Sequence, residues 1–163
     1  MLEAFAITDA GLVRKTNEDG FICSDPLRLF AVADGMGGHS AGEVASRLAV
    51  EAVEGFIRRS HADVDLSWPY GIDPAMSFAG NRLRTAVHLA NRRVFRAAES
   101  CDDYSGMGTT LTAVLVDDGK LVYGHVGDSR LYRWQARELT QLTKDDSWVA
   151  TILANEPTMT PSD

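Results

Sequence analysis

Between Leu29 and Glu43 the chain reads LFAVADGMGGHSAGE: five apolar residues, an aspartate, a glycine-rich step and the start of an amphipathic pattern. An apolar run of this length bounded by Asp and Gly reads as a buried strand. Ala41, Val44, Ala45, Leu48, Ala49, Ala52, Val53, Phe56 and Ile57 then recur at helical spacing. Ser40, three residues ahead of Glu43, supplies a capping box. The segment thus predicts a buried strand over 27–33, a sharp turn, and a helix over 41–58. Asp34 falls at the carboxyl end of that strand, and the glycines after it let the backbone turn and bring a carbonyl toward the same point. A carboxylate buried behind an apolar run needs a partner to offset its desolvation. Hard divalent cations such as Mg2+ and Mn2+ prefer oxygens of this kind; a plain tight turn is the other reading of DG and GG.

The remaining pattern is β at the start and β again at the end. Residues 4–9 (AFAITD) and 20–24 (GFICS) are short, apolar and bounded by turn formers, which predicts two further strands. Residues 60–74 lack periodicity and form a connection, with Asp73 and Pro74 suited to open the next helix. The apolar face of that helix is Ala79, Leu83, Ala86, Val87, Ala90 and Val94; Arg82, Arg84, Arg92, Arg93 and Arg96 are expected on a solvated face. From Gly108 the alternation has a period of two: GTTLTAVLVD, a DDGK turn with Asp117 and Asp118, LVYGHVGDSRLYRWQ, a turn near Arg137, and ELTQLT. That predicts a three-stranded antiparallel meander, in which Gly127 marks a bulge or a close approach and aims Asp128. A last short helix is expected from Asp145 or Asp146 through Trp148 and Ile152. The whole reads as one α+β domain over 1–163, with helices covering antiparallel sheets.

Charge and composition exclude some functions. The net charge of −7 and a pI near 5.0, with scattered basic residues, leave no footprint for nucleic acid or an anionic membrane. Cys23 and Cys101 have no metal-ligand spacing and imply a reducing compartment, as ordinary buried or half-buried thiols. No window is long enough to cross a bilayer, so a cytoplasmic location is expected. There is no G-x-x-x-x-G-K-[ST], and GMGTTL lacks the dinucleotide glycine spacing. GMGGHSAGE at a helix start could cradle a phosphate, but Asp34 beside it repels an anion unless a metal intervenes.

Arg14, Asn17, Glu18 and Asp19 in RKTNED occupy the loop between the first two predicted strands. By itself this is a polar turn; functionally, Arg14 offers a bidentate fork for phosphate while Glu18 and Asp19 face a metal-bound water. The ordered set RKTNED, LFAVADGMGGHSAGEVAS, GMGTTL, HVGDSRLYR and LTKDDS resembles bacterial metal-dependent serine/threonine protein phosphatases of the protein phosphatase 2C type. The resemblance covers nearly the whole chain, and DGMGGHSAGE and GDSRLY are its most specific pieces. It implies a four-layer α-β-β-α sandwich of two antiparallel sheets, with two or three Mn2+ or Mg2+ ions at one end. Asp34 resembles the carboxylate bridging two ions and Gly35 the residue lending its carbonyl. Glu18 and Asp19 would act through bound waters, Arg14 would bind the substrate phosphate, and Asp128 would help hold a further ion. The implied reaction is in-line attack of a metal-activated water on phosphoserine or phosphothreonine of protein substrates, and the implied substrates are targets of a bacterial serine/threonine kinase.

The chain departs from the family pattern in three places. Met36 stands where some branches carry a His as proton donor, which leaves the general acid open between His39 and a bound water. Asp146 stands where the family usually has a His. The family's later metal-binding aspartates have no counterpart before Asp163, so the domain is expected to be truncated at its C-terminus. A non-catalytic phosphatase-like binding module, or an inactive fragment, is therefore the alternative reading.

Overall fold

The computed structural model describes residues 2–38, 41–63 and 66–146. Alternation along the strands decides which face of the main sheet is covered. Strand β1 (Asp19–Ser24) pairs antiparallel with β2 (Leu29–Met36), placing Ile22 opposite Ala31 and Gly20 opposite Ala33. β2 also pairs with β4 (Leu111–Asp117), Leu29 facing Leu115 and Ala31 facing Ala113. β4 continues into β5 (Lys120–Val126), with Ala113 opposite Gly124. A two-residue strand β3 (Gly108–Thr109) adds to the far end of β2, giving a five-stranded sheet. β6 (Tyr132–Gln135) and β7 (Glu138–Gln141) form a separate two-stranded sheet.

Helices α1 (Ala41–Ala62) and α2 (Phe78–Ser100) cover the face carrying Leu29, Ala31, Ala33, Leu111, Ala113 and Leu115. A side chain on Gly124 would meet Val87 and Leu83 at 3.3 and 3.5 Å, so a glycine there lets α2 lie close on β5. Leu29, Leu115, Ile57 and Leu83 are fully buried in this layer. Truncating any of the leucines to Ala costs about 2–5 kcal/mol. The opposite face remains open: Phe21 and Val32, cross-strand neighbours, are 45% and 49% exposed. The architecture is the expected α+β arrangement of antiparallel sheets and helices; among the described residues the helices form one layer. No described helix is long and apolar enough to cross a membrane.

Several expectations from the sequence are corrected. Residues 4–9 form no strand: Phe5 and Ile7 are 89% and 82% exposed, and no described strand offers them a ladder. Helix α1 runs four residues past the expected end. Helix α2 starts later than Asp73–Pro74, because Ser77 caps it by accepting from Gly80 N at 3.0 Å. Asp73 instead closes a turn, its carboxylate accepting from Ala75 N and its backbone held by the Asn81 side chain. Arg82 is buried at 7% exposure, not solvated; it donates to Ser60 O and His61 Nε2 and lies over the Phe78 ring. Cys23 is exposed, whereas Cys101 is half-buried, and both are free thiols.

The meander is also interrupted. Asp118 and Gly119, both at positive φ, make the DDGK turn as expected, and Ala136 and Arg137 make the second. Between them the ladder stops at Gly127 and resumes in β6, in a different sheet. Ser40 and the helix expected through Trp148 and Ile152 lie outside the described residues.

Candidate metal and phosphate site

Register alone brings the first two carboxylates together. Asp19, the first residue of β1, is the direct cross-strand partner of Asp34 near the end of β2. Both side chains are exposed on the open face and line a cleft of 220 Å³ with Thr8 and Ser129. Asp34 is therefore not buried behind its apolar run, because period-two alternation turns Ala31 and Ala33 to the core and Asp34 away from it. What asks for a cation here is charge: like charges directly opposite one another in a sheet are destabilising unless something sits between them.

The glycines fix the back of the site. A Cβ on Gly35 would collide with the carbonyl oxygen of Gly42 and stand 2.5 Å from Glu18 O. A Cβ on Gly42 would stand 2.8 Å from Gly35 C and 2.9 Å from Glu18 Cδ. The first turn of α1 thus packs backbone to backbone on β2, and the Glu18 carboxyl group lies against that turn. The N-terminal end of a helix favours a carboxylate. Ser46 of α1 secures the loop from above by donating to Glu18 O at 2.6 Å, and Gly35 N donates to the same oxygen at 3.2 Å.

Thr110 ties this corner to the GDSR segment. Its hydroxyl accepts from Asp34 N at 2.9 Å and lies 2.7 Å from Ser129 Oγ, while its backbone N donates to Asp34 O. Gly127, at φ 101°, passes so close that a Cβ would be 2.8 Å from the Thr110 methyl group. The close approach expected at Gly127 is therefore present, and the next residue, Asp128, is exposed. Thr112 adds a second tie, bonding His125 Nδ1 at 2.9 Å and Ser129 O at 3.0 Å.

Arg130 forks onto Asp145, with Nε donating at 3.0 Å and Nη2 at 2.6 Å. The hydrogen bonds to Arg130 hold the Asp145 carboxyl group below the usual carboxylate range, and Asp145 raises the guanidinium in return. Asp146 N donates to Gly127 O at 2.7 Å. The KDD segment thus braces the GDSR loop.

Fold and register bring Glu18, Asp19, Asp34 and Gly35 to one end of the main sheet, with Asp128 on a loop bonded to the same corner. Arg14 stands on the exposed loop ahead of β1 and does not line the cleft. Among the described residues, no three His, Cys, Asp or Glu side chains converge closely enough to hold a metal. Reading the sequence missed Thr8; Thr110, Ser129 and Asp145 stood inside the motifs GMGTTL, GDSR and KDD, without the contacts that join them. The doubled threonine of GMGTTL was one signal, since hydroxyl residues at a strand break have a choice between ladder and side-chain bonds.

Known proteins are similar to this chain in sequence and fold. Residues 15–160 match the family Protein phosphatase 2C. The serine/threonine protein phosphatase PstP of Mycobacterium tuberculosis is 42% identical over 163 residues, which is 100% of this chain and 28% of that protein. The crystal structure of the catalytic domain of PstP in complex with 2 manganese ions superposes with a TM-score of 0.71 at 44% identity, covering 94% of this chain and 60% of that one. Serine/threonine phosphatase Stp1 from Staphylococcus aureus superposes with a TM-score of 0.76 at 34% identity, covering 99% and 60%. The chain spans less than two thirds of the length of each. The family match extends over most of the chain, including the strand, turn and loop that bring Asp34 and Asp128 to the same corner, and the chain belongs to the protein phosphatase 2C family.

Proposed function

We propose that this chain forms part of a Mn2+- or Mg2+-dependent phosphatase that hydrolyses phosphoserine and phosphothreonine in protein substrates. The observation that carries the reading is the direct opposition of Asp19 and Asp34 across β1 and β2. Two opposed carboxylates on an open face suit a hard dication, which relieves their repulsion and prefers their oxygens. Bound there, a pair of such ions would supply a water acidic enough to attack phosphorus in line, with no covalent phosphoenzyme. Asp34 is proposed as the bridging ligand, Gly35 as the donor of a carbonyl, Glu18 and Asp19 as acceptors for ion-bound water, and Asp128 as a ligand for a further ion. Gly35 suits its part because its backbone is clamped between Glu18 O and the start of α1. The manganese ions of the related PstP catalytic domain support the choice of metal.

Arg14 is proposed to hold the substrate phosphate with its guanidinium fork and to stabilise charge building on the phosphoryl oxygens. Its exposed position leaves it free to turn onto a phosphate standing in front of Asp34. The proposed substrates are targets of a bacterial serine/threonine kinase. A second reading, a phosphatase-like module that binds without hydrolysis, is favoured by one observation: no three ligating side chains converge among the described residues.

Hydrolysis of a phosphothreonine peptide with Mn2+ separates the two. In the intact protein, Arg14→Ala should lower kcat/KM at least about tenfold with Mn2+ affinity nearly unchanged, and Arg14→Lys should recover little, because a point charge lacks the fork. Wild-type protein that binds the peptide but releases no phosphate establishes the second reading.

A further inference from the structure

We propose that the outer groove between α1 and α2 binds an acidic, phosphorylated peptide segment at a distance from the cleft of Asp19 and Asp34. Arg59 of α1 and Arg92, Arg93 and Arg96 of α2 line one open groove of 380 Å³, in which Glu51 is the single carboxylate. In the sequence Arg59 stands apart, on a different helix from the other three. The antiparallel packing of the helices gathers them, with Arg93 bonded to Glu51 at 2.7 Å and Arg82 reaching back to Ser60 O. Glu51 satisfies Arg93. Among the described residues no carboxylate lies within 4.0 Å of the guanidinium of Arg59, Arg92 or Arg96. A protein with net charge −7 thus concentrates four guanidinium groups around one acid.

Two features of the helices are unfavourable for folding and coincide here. Arg92 and Arg96 are like charges at i,i+4, which destabilises a helix. They do not complement the helix dipole either, since the last turn of α2 has no basic residue. Gly55 lies mid-helix, where glycine is less favourable than alanine. Close packing does not demand it: a Cβ there would meet only Arg59 Nη1, at an ordinary 3.4 Å. With Ala52, Gly55 keeps the α1 side of the groove low beside the Arg59 guanidinium. The planar guanidinium forks of such a groove suit anions that accept two hydrogen bonds at once, namely phosphate and carboxylate groups.

The occupant is a peptide because of scale and charge. The groove accommodates a few residues, whereas a nucleic acid would extend beyond it along a protein whose net charge is −7. Glu51 to Arg59 lie about 14–26 Å along α1 from Gly42 at 1.5 Å per residue, a span that an extended chain covers in about four to eight residues. Naming that peptide as part of the substrate rests on the phosphatase reading; binding of the anion does not. The acidic segment would then lie several residues away from the phosphoresidue being hydrolysed.

Fluorescence anisotropy tests this with the intact protein in EDTA, so that no turnover occurs. The probes are a labelled peptide carrying phosphothreonine among Asp and Glu, its uncharged Ser and Ala counterpart, and a short single-stranded oligonucleotide. The acidic phosphopeptide should bind at least about tenfold more tightly than the uncharged one, with a strong dependence on salt. Arg92→Glu/Arg96→Glu, at two exposed positions and with an unchanged thermal melt, should lose at least about tenfold in affinity. Arg92→Lys/Arg96→Lys should lose less than the Glu variant. With Mn2+, the Glu variant should raise KM for a long acidic phosphopeptide while leaving kcat for p-nitrophenyl phosphate unchanged. Equal binding by the Glu variant and wild type, or tighter binding of the oligonucleotide than of the peptide, overturns the proposal. Groove-dependent binding without any hydrolysis supports the groove and refutes only the phosphatase reading.

Discussion

Asp19 and Asp34 stand directly opposite each other across β1 and β2, at the end of the hairpin away from its turn. Without a cation this pair opposes folding; with one it becomes a ligand set. Asp34→Asn should therefore stabilise the metal-free protein by up to about 1 kcal/mol, or roughly 2–4 °C in melting temperature. The same change should weaken Mn2+ binding by at least about tenfold, and by more than Asp128→Asn does. Thermal melts in EDTA and calorimetric titrations with Mn2+ read the two effects separately. An Asp34→Asn protein that binds Mn2+ as tightly as its parent would refute the bridging role.

Gly35 and Gly42 make the contact that sets the position of α1 on the sheet. Gly42→Ala places a methyl group 2.8 Å from Gly35 C and 2.9 Å from Met36 N, and neither backbone atom can yield cheaply. The expected cost is about 1–3 kcal/mol in urea unfolding, as for other overpacked sites. Gly38→Ala is the control, since a Cβ there meets nothing within 4 Å. Equal midpoints for the two variants would show that the helix shifts freely.

His61 and Arg82 predict sensitivity to acid. Arg82 Nη1 can only donate, so His61 Nε2 must accept their 3.2 Å bond as neutral imidazole. Burial, and then the Arg82 charge, lower the His61 pKa below its ordinary 6.5, with Asp117 opposing them. The unfolded chain therefore takes up the proton first. Stability is unaffected well above pH 6.5 and falls as the pH drops through and below that value. Melting temperatures between pH 7.5 and about 5 should fall more steeply in the wild type than in His61→Gln. Parallel curves would show that the pair does not control the response.

Much of the fold was legible because periodicity is a local signal. LFAVA and the 41–57 pattern announced β2 and α1, and DDGK announced the β4–β5 turn. Residues 4–9 carried an equally good strand signal and formed none, since a strand also requires a partner that its own sequence does not name. Arg82 was misread for the same reason: helical spacing put it off the apolar face, but the C-terminal end of α1 arrives there with the free carbonyl of Ser60. In the candidate site, Asp34 and Gly35 were visible as a motif. Their relation to Asp19 was not, because it depends on a register set across the β1–β2 turn.

Thr110 offers a last consequence. Strand β2 and the GDSR loop are joined most directly at this residue, whose hydroxyl and backbone N both bond the Asp34 backbone and whose side chain meets Ser129 and Gly127. It stands between β3 and β4, where the ladder is interrupted. Residues 76 positions apart in the chain are thereby placed under a common mechanical constraint. Valine at this position would keep the shape and the backbone bond while deleting the hydroxyl. Asp34 and Asp128 would then be coupled only through that backbone bond and the Thr112 tie, each intact and the distance between them less firmly held.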